Sequence, residues 1–247
     1  MSSIELTAPR TITINDRGRQ FSLKLARITK KQWLRYFAGI VSVSENVDGQ
    51  RVNRFDATGA LLELLQSALI DAAGYVTADN SPVTATSDWR KLLPLAHRLA
   101  ASEQLIAVER GNAPEDAPFV LGFENVYLNA VWGADDKGVM QKFSGLCHRF
   151  KTPTEEHQAK LSRAASRSVI VGGSRRGTTR WMAAQPTLAE LYDELILSVE
   201  GYAVNGQELG DDHDAIVAEM DTFHKVAAAD VLFSPADVLD PDAAEDK

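Results

Sequence analysis

The chain has 247 residues and a mass of 27.0 kDa, and its content of 45% hydrophobic and 24% charged residues is typical of a globular protein. Its formal net charge is −8, its apolar stretches are too short to cross a bilayer, and its single cysteine, Cys147, excludes an intrachain disulfide. The first residues carry neither the basic start nor the apolar run of a secretory signal, so no membrane partner is expected.

The first 110 residues predict a hairpin, a helix, a second hairpin and two further helices. Alternating apolar residues and turn chemistry indicate the hairpins, while apolar stripes and capping residues indicate the helices. The predicted elements are strands at 12–14 and 21–25 around a turn at 16–18, a helix after the N-cap Thr29, strands at 41–43 and 52–55, a helix at 57–73 capped by Gly74, and a helix at 88–108 with a kink or late start at Pro94.

The second part of the chain predicts the same order of elements. Turn residues 136–138 are expected to occupy the place that residues 16–18 occupy in the first hairpin. The predicted elements are a strand at 126–132 returning through Val139 and Phe143, a helix from Thr154, a hairpin of strands 168–171 and 178–181 around Gly172-Gly173, and helices at 187–200 and 214–232.

Short motifs recur at one spacing. Gly74-Tyr75 returns as Gly201-Tyr202, and the segment 97–101 returns as 224–228, in both cases 127 positions later. The repeat predicts an α+β fold of two tandem copies of a hairpin-helix-hairpin-helix-helix unit, packed about a pseudo-twofold axis. The expected division is a first unit at 1–110, a linker at 111–118, a second unit at 119–234 and an acidic tail at 235–247.

Charge is distributed in blocks. Residues 9–35 contain eight Lys/Arg and one Asp, and residues 142–180 contain nine Lys/Arg and two Glu. Residues 190–247 contain sixteen Asp/Glu and two lysines. Such blocks either solvate the surface or let complementary faces of neighbouring subunits meet. Few aromatic residues interrupt the basic segment 142–180, so nucleic acid is not expected as a partner.

Residues 172–179 have the G-x-x-x-x-G spacing of a phosphate-binding loop, but Thr178 stands where that loop needs lysine. A looser contact of Arg175, Arg176 and Arg180 with a phosphate or carboxylate is the remaining possibility, because clustered guanidinium groups suit such partners.

No catalytic or metal-binding set is expected among the histidines and the cysteine. Cys147 and His148 are adjacent, so they seldom meet on a strand or a helix. His213 lies among acidic residues without the spacing of a calcium loop, and we interpret that loop as a helix cap. His97 and His224 are related by the repeat, and each is expected to pack in a helix with one ring nitrogen bonded to backbone. The sequence therefore predicts no metal and no cofactor.

The sequences of several segments resemble proteins from the tail and head-tail modules of tailed bacteriophages and prophages. These segments are 21–37, 169–175, 191–196 and Gly201-Tyr202. Within that class the helices and acidic tail are more similar to a tail-assembly chaperone or a minor tail or neck protein than to a β-rich tail-tube protein. The resemblance implies other phage structural proteins and further copies of the chain as partners. It also implies a location in the virion, or in the host cytoplasm during assembly.

Three hypotheses about function follow. The first is a non-enzymatic structural or assembly protein of a tailed bacteriophage, acting in the tail or neck through protein–protein contacts. The alternative is an anion- or nucleotide-binding regulatory protein that uses Arg175, Arg176 and Arg180. A divergent hydrolase is the weakest hypothesis, because no triad or dyad is evident.

Overall fold

A computed structural model describes residues 3–47, 50–113, 120–166, 176–177 and 180–234, and for the described residues within 41–55 and 166–183 it describes the backbone alone. The fold is of the mixed α+β class, as predicted. We refer to residues 3–113 as the first half and to residues 120–234 as the second half.

Helices and short strands alternate irregularly along the chain. The helices are α1 (Lys30–Gly39), α2 (Thr58–Ala68), α3 (Trp89–Leu92), α4 (Leu95–Ile106), α5 (Glu155–Ser166), α6 (Arg180–Leu195), α7 (His213–Glu219) and α8 (Thr222–Phe233). The strands of the first half are β1 (Ile4–Glu5), β2 (Arg10–Asp16), β3 (Arg19–Leu25), β4 (Val41–Val47), β5 (Gln50–Asp56), β6 (Leu69–Ala73) and β7 (Glu109–Gly111). Those of the second half are β8 (Phe123–Asn129), β9 (Val131–Ala134), β10 (Met140–Phe143), β11 (Leu146–Lys151), β12 (Arg176–Gly177), β13 (Ile196–Glu200), β14 (Tyr202–Val204) and β15 (Gln207–Glu208).

The strands form small sheets. Their orders are β2-β3-β6, β13-β11-β8-β7, β12-β4-β5, β10-β9 and β1-β14-β15. Three of these sheets join the halves, because β12 pairs antiparallel with β4, β7 pairs antiparallel with β8, and β1 pairs parallel with β14.

The first hairpin, β2–β3, forms as the alternation predicts. Ile12 lies opposite Leu23, and both side chains are fully buried on one face of the sheet. The two residues of the turn, Arg17 and Gly18, have φ angles of 49° and 73°. Positive φ at both positions matches the twist of the flanking strands, which is why a glycine-containing turn works here.

The long helix predicted at 57–73 is wrong in its last five residues. The helix α2 ends at Ala68, and β6 follows and pairs with β3. A register shift lies between Lys24 and Leu25 of β3, and Ile70 of β6 is left half exposed. Ladder hydrogen bonds from β3 therefore override the helical apolar stripe, which is only a weak preference.

Gly74 consequently ends a strand and does not cap a helix. Its φ is 91°, and a Cβ atom there would lie 2.9 Å from the backbone oxygen of Gln20. The position needs glycine because of both the left-handed backbone and the close approach of β3.

A similar change from helix to strand occurs in the second half. The helix predicted at 187–200 is also wrong at its end, since α6 ends at Leu195 and β13 continues the chain to Glu200. β13 pairs with β11, with a register shift between Arg149 and Phe150. Gly201 then follows with a φ of 85°.

Residues 136–138 are not the counterpart of the turn at 16–18. β11 pairs with both β8 and β13, as β3 pairs with β2 and β6, whereas β9 and β10 pair with each other. Val139 and Phe143 therefore lie on or beside a separate hairpin inserted between β8 and β11. The prediction failed because turn chemistry shows that a chain reverses but not which strands it joins.

Two predicted helices are each divided. Pro94 separates α3 from α4, as the kink or late start predicts. The single helix expected at 214–232 is instead α7 and α8, because the side chain of Asp221 accepts a 2.9 Å hydrogen bond from the Phe223 N–H and starts a new helix. Of the hairpin expected around Gly172-Gly173, residues 176 and 177 form β12, which pairs with β4, and residues 180 and 181 belong to α6 and not to the strand predicted at 178–181. The rest of this hairpin and the tail at 235–247 lie outside the described residues.

The helix pairs α1/α2 and α5/α6 begin and join in similar ways. Thr29 and Gln32 form a capping box on α1, and Thr154 contacts Nδ1 of His157 at the start of α5. Each pair is then linked by polar side chains. The links are Gln32–Ser67 (2.9 Å) and Arg35–Glu63 in the first pair, and His157–Glu194 (3.1 Å) and Lys160–Glu190 (3.7 Å) in the second.

One apolar cluster runs through both halves. Helix α1 packs against α6 and α8, and the fully buried Trp33 stacks on Phe223 with 5.1 Å between ring centroids. Full burial of such a side chain contributes about 1.5–3 kcal/mol. The described parts of the two halves are therefore joined by hydrophobic packing as well as by strand pairing.

Candidate functional site

The predicted anion-binding arginines fall at the margin of the described structure. Arg175 lies outside the described residues. Arg176 lies on β12 opposite Val43, and Arg180 is the first residue of α6, but only the backbone of these two is described. Anion binding by these arginines therefore stays a prediction.

A histidine on β11 forms the centre of a buried polar network. His148 is fully buried, and its Nδ1 and Nε2 atoms each lie 3.0 Å from a tyrosine hydroxyl, of Tyr192 and Tyr202 respectively. Burial, with a contribution from the charge of His224, lowers the pKa of His148 to about 3. The ring is therefore neutral at physiological pH, and one tyrosine donates to it while the other accepts.

Burial disfavours the thiolate form of the neighbouring cysteine. Cys147 is buried on the same strand, and burial, together with the charge of Glu200, raises its pKa to about 11. A protonated thiol is a poor nucleophile. Both ring nitrogens of His148 contact tyrosine hydroxyls, and neither is hydrogen-bonded to the Cys147 thiol in the described structure.

A buried ion pair joins the N-terminal hairpin to the last helix. Arg10 of β2 donates to Asp221, the N-cap of α8, over 2.5 Å, and both side chains are almost fully buried. Burial alone would raise the pKa of Asp221, but the Arg10 guanidinium holds it below its usual range. Because an unpaired charge in this place would be costly, the pair ties the two halves together.

His224 lies beside this ion pair. Burial lowers its pKa to about 4, and its Nδ1 atom has no hydrogen-bond partner among the described residues. His97, at the related position of α4, instead contacts the Tyr75 hydroxyl (3.0 Å) and the Asp16 carboxylate (3.2 Å). The expected shared bond to backbone is therefore wrong for His97, whose side-chain partners lie 22 and 81 residues away in the sequence.

Another buried cation is also held internally. The Nζ atom of Lys225 donates to the Asp193 carboxylate (2.5 Å) and to the Val217 backbone oxygen (2.6 Å). The contact with Asp193, like those of His148 and Arg10, links residues distant in the sequence. Sequence reasoning missed all three networks because no local pattern indicates them.

The acidic loop around His213 does cap a helix. Asp212 accepts a 3.0 Å hydrogen bond from the Ala215 N–H at the start of α7. In the described part of the chain, no three His, Cys, Asp or Glu side chains form a group that could hold a metal ion. No described helix is long and apolar enough to cross a membrane.

An apolar cavity of about 340 Å³ lies between α1, α6, α8, β7 and β8. Its wall includes Phe37, Leu128 and Phe223, with Gln185 fully buried beside them. Both polar atoms of the Gln185 amide lack a hydrogen-bond partner among the described residues.

Several apolar side chains of the first half are more exposed than the residues found 127 positions later. Large apolar residues from β6 to α4 are solvent-exposed, namely Ile70, Val76, Leu92 and Leu95. The positions 127 residues later hold Leu197, Ala203, Glu219 and Thr222, of which Ala203 and Thr222 are buried. Two of the four exposed positions of the first half therefore correspond to buried residues of the second half, whose own exposed large apolar residues are Val120, Leu121, Phe123 and Val139.

Searches against protein-family models, curated protein sequences and solved structures find no match to this chain.

Proposed function

We propose that this chain is a structural or assembly protein of a tailed bacteriophage, in the tail or neck, that acts through contacts with other protein subunits. The proposal rests on the resemblance of its segments to phage tail and head-tail proteins and on the architecture described above. The single observation that carries it is that four large apolar side chains, Ile70, Val76, Leu92 and Leu95, are 49–63% exposed. Where such side chains adjoin one another, they mark contact sites for other proteins.

We further propose that the two halves are tandem copies of one unit. Several element bounds support this, because β6 and β13, and likewise α4 and α8, begin and end 127 residues apart. The register shifts in β3 and β11 fall 125 residues apart, between Lys24 and Leu25 and between Arg149 and Phe150.

Side-chain contacts across the helix pairs add support that does not depend on backbone shape. The link Gln32–Ser67 corresponds to His157–Glu194, and Arg35–Glu63 corresponds to Lys160–Glu190, at offsets of 125 and 127 residues. The first link differs in chemistry between the halves, whereas the second joins a basic side chain to a glutamate in both. A shared ancestral packing of two helices accounts for this, and the pseudo-twofold axis stays a prediction.

The experiment is co-expression of the chain with the products of the two genes that flank its own, followed by affinity purification and light scattering. We expect a stoichiometric complex with at least one of these products, and a tail-tube or tape-measure neighbour would identify the class. A chain that remains monomeric and binds neither product would overturn the proposal.

A thermal-shift series separates this function from anion binding. A ligand present at one hundred times its dissociation constant stabilises a protein by about 2.7 kcal/mol. We expect no such stabilisation from phosphate or nucleotides. A clear shift that disappears in Arg176→Ala would favour the regulatory alternative.

A further inference from the structure

The N-terminal strand shows how one edge of the second half is completed. The N–H of Ile4 donates to the Gly201 oxygen (2.8 Å), and the N–H of Leu6 donates to the Ala203 oxygen (2.9 Å). The side chains of Ile4 and Leu6 are buried by this contact, and so are Tyr202 and Ala203. The strand β1 thus adds in parallel to an edge that would otherwise face solvent.

The corresponding edge of the first half carries no added strand among the described residues. On its inner side, the Tyr75 oxygen accepts from the Val83 N–H (3.2 Å), and the Thr77 N–H donates to the Ser81 oxygen (2.8 Å). Backbone groups of alternate strand residues point to opposite sides, so those of Val76 point outward. Gly74 has a φ of 91°, close to the 85° of Gly201, whose oxygen accepts from Ile4, and we infer the same direction for the Gly74 oxygen. Within the part of the chain that the structure describes, no hydrogen bond reaches these outward groups.

The residues at the centres of the two edges differ in solvent exposure. Val76 is 63% exposed, whereas Ala203, its counterpart beneath β1, is 7% exposed. The second half also has a strand, β9, that covers the outer face of β1. Gly133 of β9 lies so close to Ile4 that there is no space for a Cβ atom. The first half has a two-residue turn where the second half inserts β9 and β10, so no described element of the first half stands at that place.

We propose that the backbone edge at residues 74–76 binds an extended segment of a partner subunit by strand addition. The inference rests on the proposed function and on the relation between the halves. The segment runs parallel to the edge, as β1 does, and has an apolar–polar–apolar pattern like that of Ile4-Glu5-Leu6. Its N–H groups donate to the Gly74 and Val76 oxygens, and its intervening carbonyl accepts from the Val76 N–H.

This mode of recognition defines what the partner must supply. Main-chain hydrogen bonds give the segment affinity for the edge, and its alternate side chains give specificity. Since the first half lacks the wall that β9 forms, the rest of the partner adds affinity by covering the outer face of the added strand, while the main-chain hydrogen bonds form without that cover. The occupant is therefore a segment of a folded subunit that carries its own cover.

A peptide with the sequence of residues 1–9 is the direct probe, because this segment already fills the related edge. It would be titrated into the full-length chain while amide hydrogen exchange is followed at Val76 and at Ala203. We expect exchange at Val76 to slow and exchange at Ala203 to stay unchanged. A control peptide with aspartate in place of Ile4 and Leu6 should leave both unchanged.

Two matched proline variants test the geometry. Val76→Pro removes the N–H that would donate to the segment, and we expect peptide affinity to fall about tenfold or more. Ala78→Pro lies two residues away, at the second position of the turn closed by the Asn80 N–H and the Thr77 oxygen, where proline is favoured. This control should bind the peptide as the unchanged chain does.

Three results would overturn the inference. They are no slowing at Val76 with saturating peptide, equal affinity of the Val76→Pro chain, and a change at Ala203 alone, which would mean displacement of β1. The exchange measurement needs no variant, so it decides the matter even where Val76→Pro fails to fold. Failure here together with a complex with a flanking gene product would remove strand addition and leave the proposed function standing.

Discussion

Two buried histidines predict a steep loss of stability in mild acid. The folded-state pKa is about 3 for His148 and about 4 for His224, chiefly because burial disfavours the charged ring. An unfolded histidine has a pKa of about 6.5. Below that pH the unfolded chain binds more protons than the folded chain, so the free energy of unfolding decreases as pH falls from about 6.5 toward 4.

The magnitude follows from the same values. Each histidine that stays neutral in the fold contributes a slope of about 1.4 kcal/mol per pH unit, and the pair contributes about 2.7. Between about pH 6.5 and 4.5 the loss is about 5 kcal/mol, which is comparable to the whole stability of a typical domain. Carboxylates with lowered pKa values, Asp221 among them, add their own loss only at lower pH.

The assay is urea unfolding at a series of pH values, followed by fluorescence of the buried Trp33 and Trp89. His224→Leu removes one buried titrating ring, and we expect the slope to fall by about half, to about 1.4 kcal/mol per pH unit. His213→Gln is the matched control, because that side chain is half exposed. A wild-type slope near zero between about pH 6.5 and 4.5, or an unchanged slope in His224→Leu, would refute the reasoning.

Further predictions concern single contacts, and all can be measured by thermal or urea unfolding unless stated. Arg10→Leu should cost about 3–5 kcal/mol because it leaves Asp221 charged, buried and unpaired, and adding Asp221→Leu should recover part of that loss. Gly59→Ala should stabilise α2 by about 0.5–1 kcal/mol, since nothing among the described residues lies within 4 Å of the new methyl group. Gly201→Ala should destabilise by at least about 1–2 kcal/mol, because φ is 85° and Leu146 blocks the space. Cys147 should react with a thiol reagent at neutral pH only as fast as the chain unfolds, and rapid labelling of the folded protein would contradict the burial argument.

Local features of the sequence predicted local structure well. The alternation around Ile12 and the capping residue Thr29 correctly located the first hairpin and α1, because both depend on neighbours in the chain. The ends of α2 and α6 could not be found in this way. An apolar stripe continues past Ala68 and Leu195, and the switch to strand depends on β3 and β11, which are distant in the sequence.

The candidate site was predictable only in part, and for a similar reason. The recurrence of Gly74-Tyr75 marked the edge on which the argument for strand addition rests, although it could not show that one copy is covered and the other open. The contacts of His148 with two tyrosines join residues 44 and 54 positions apart. The residues next to His148 in the sequence do not distinguish it from a histidine exposed on a strand.

The open edge of the first half and the buried networks of the second half have a common cause, which is the position of the N-terminal segment. In the second half, Tyr202 is enclosed by β1 and its hydroxyl contacts His148, while Arg10 of the next strand holds Asp221. In the first half, the equivalent Tyr75 contacts His97, and no described N-terminal strand covers it. The N-terminal segment can complete one edge only, because it is a single strand and its continuation is fixed by the Arg10 ion pair. If the halves are copies of one unit, the edge at residues 74–76 of the first half must remain open or take a strand from another molecule.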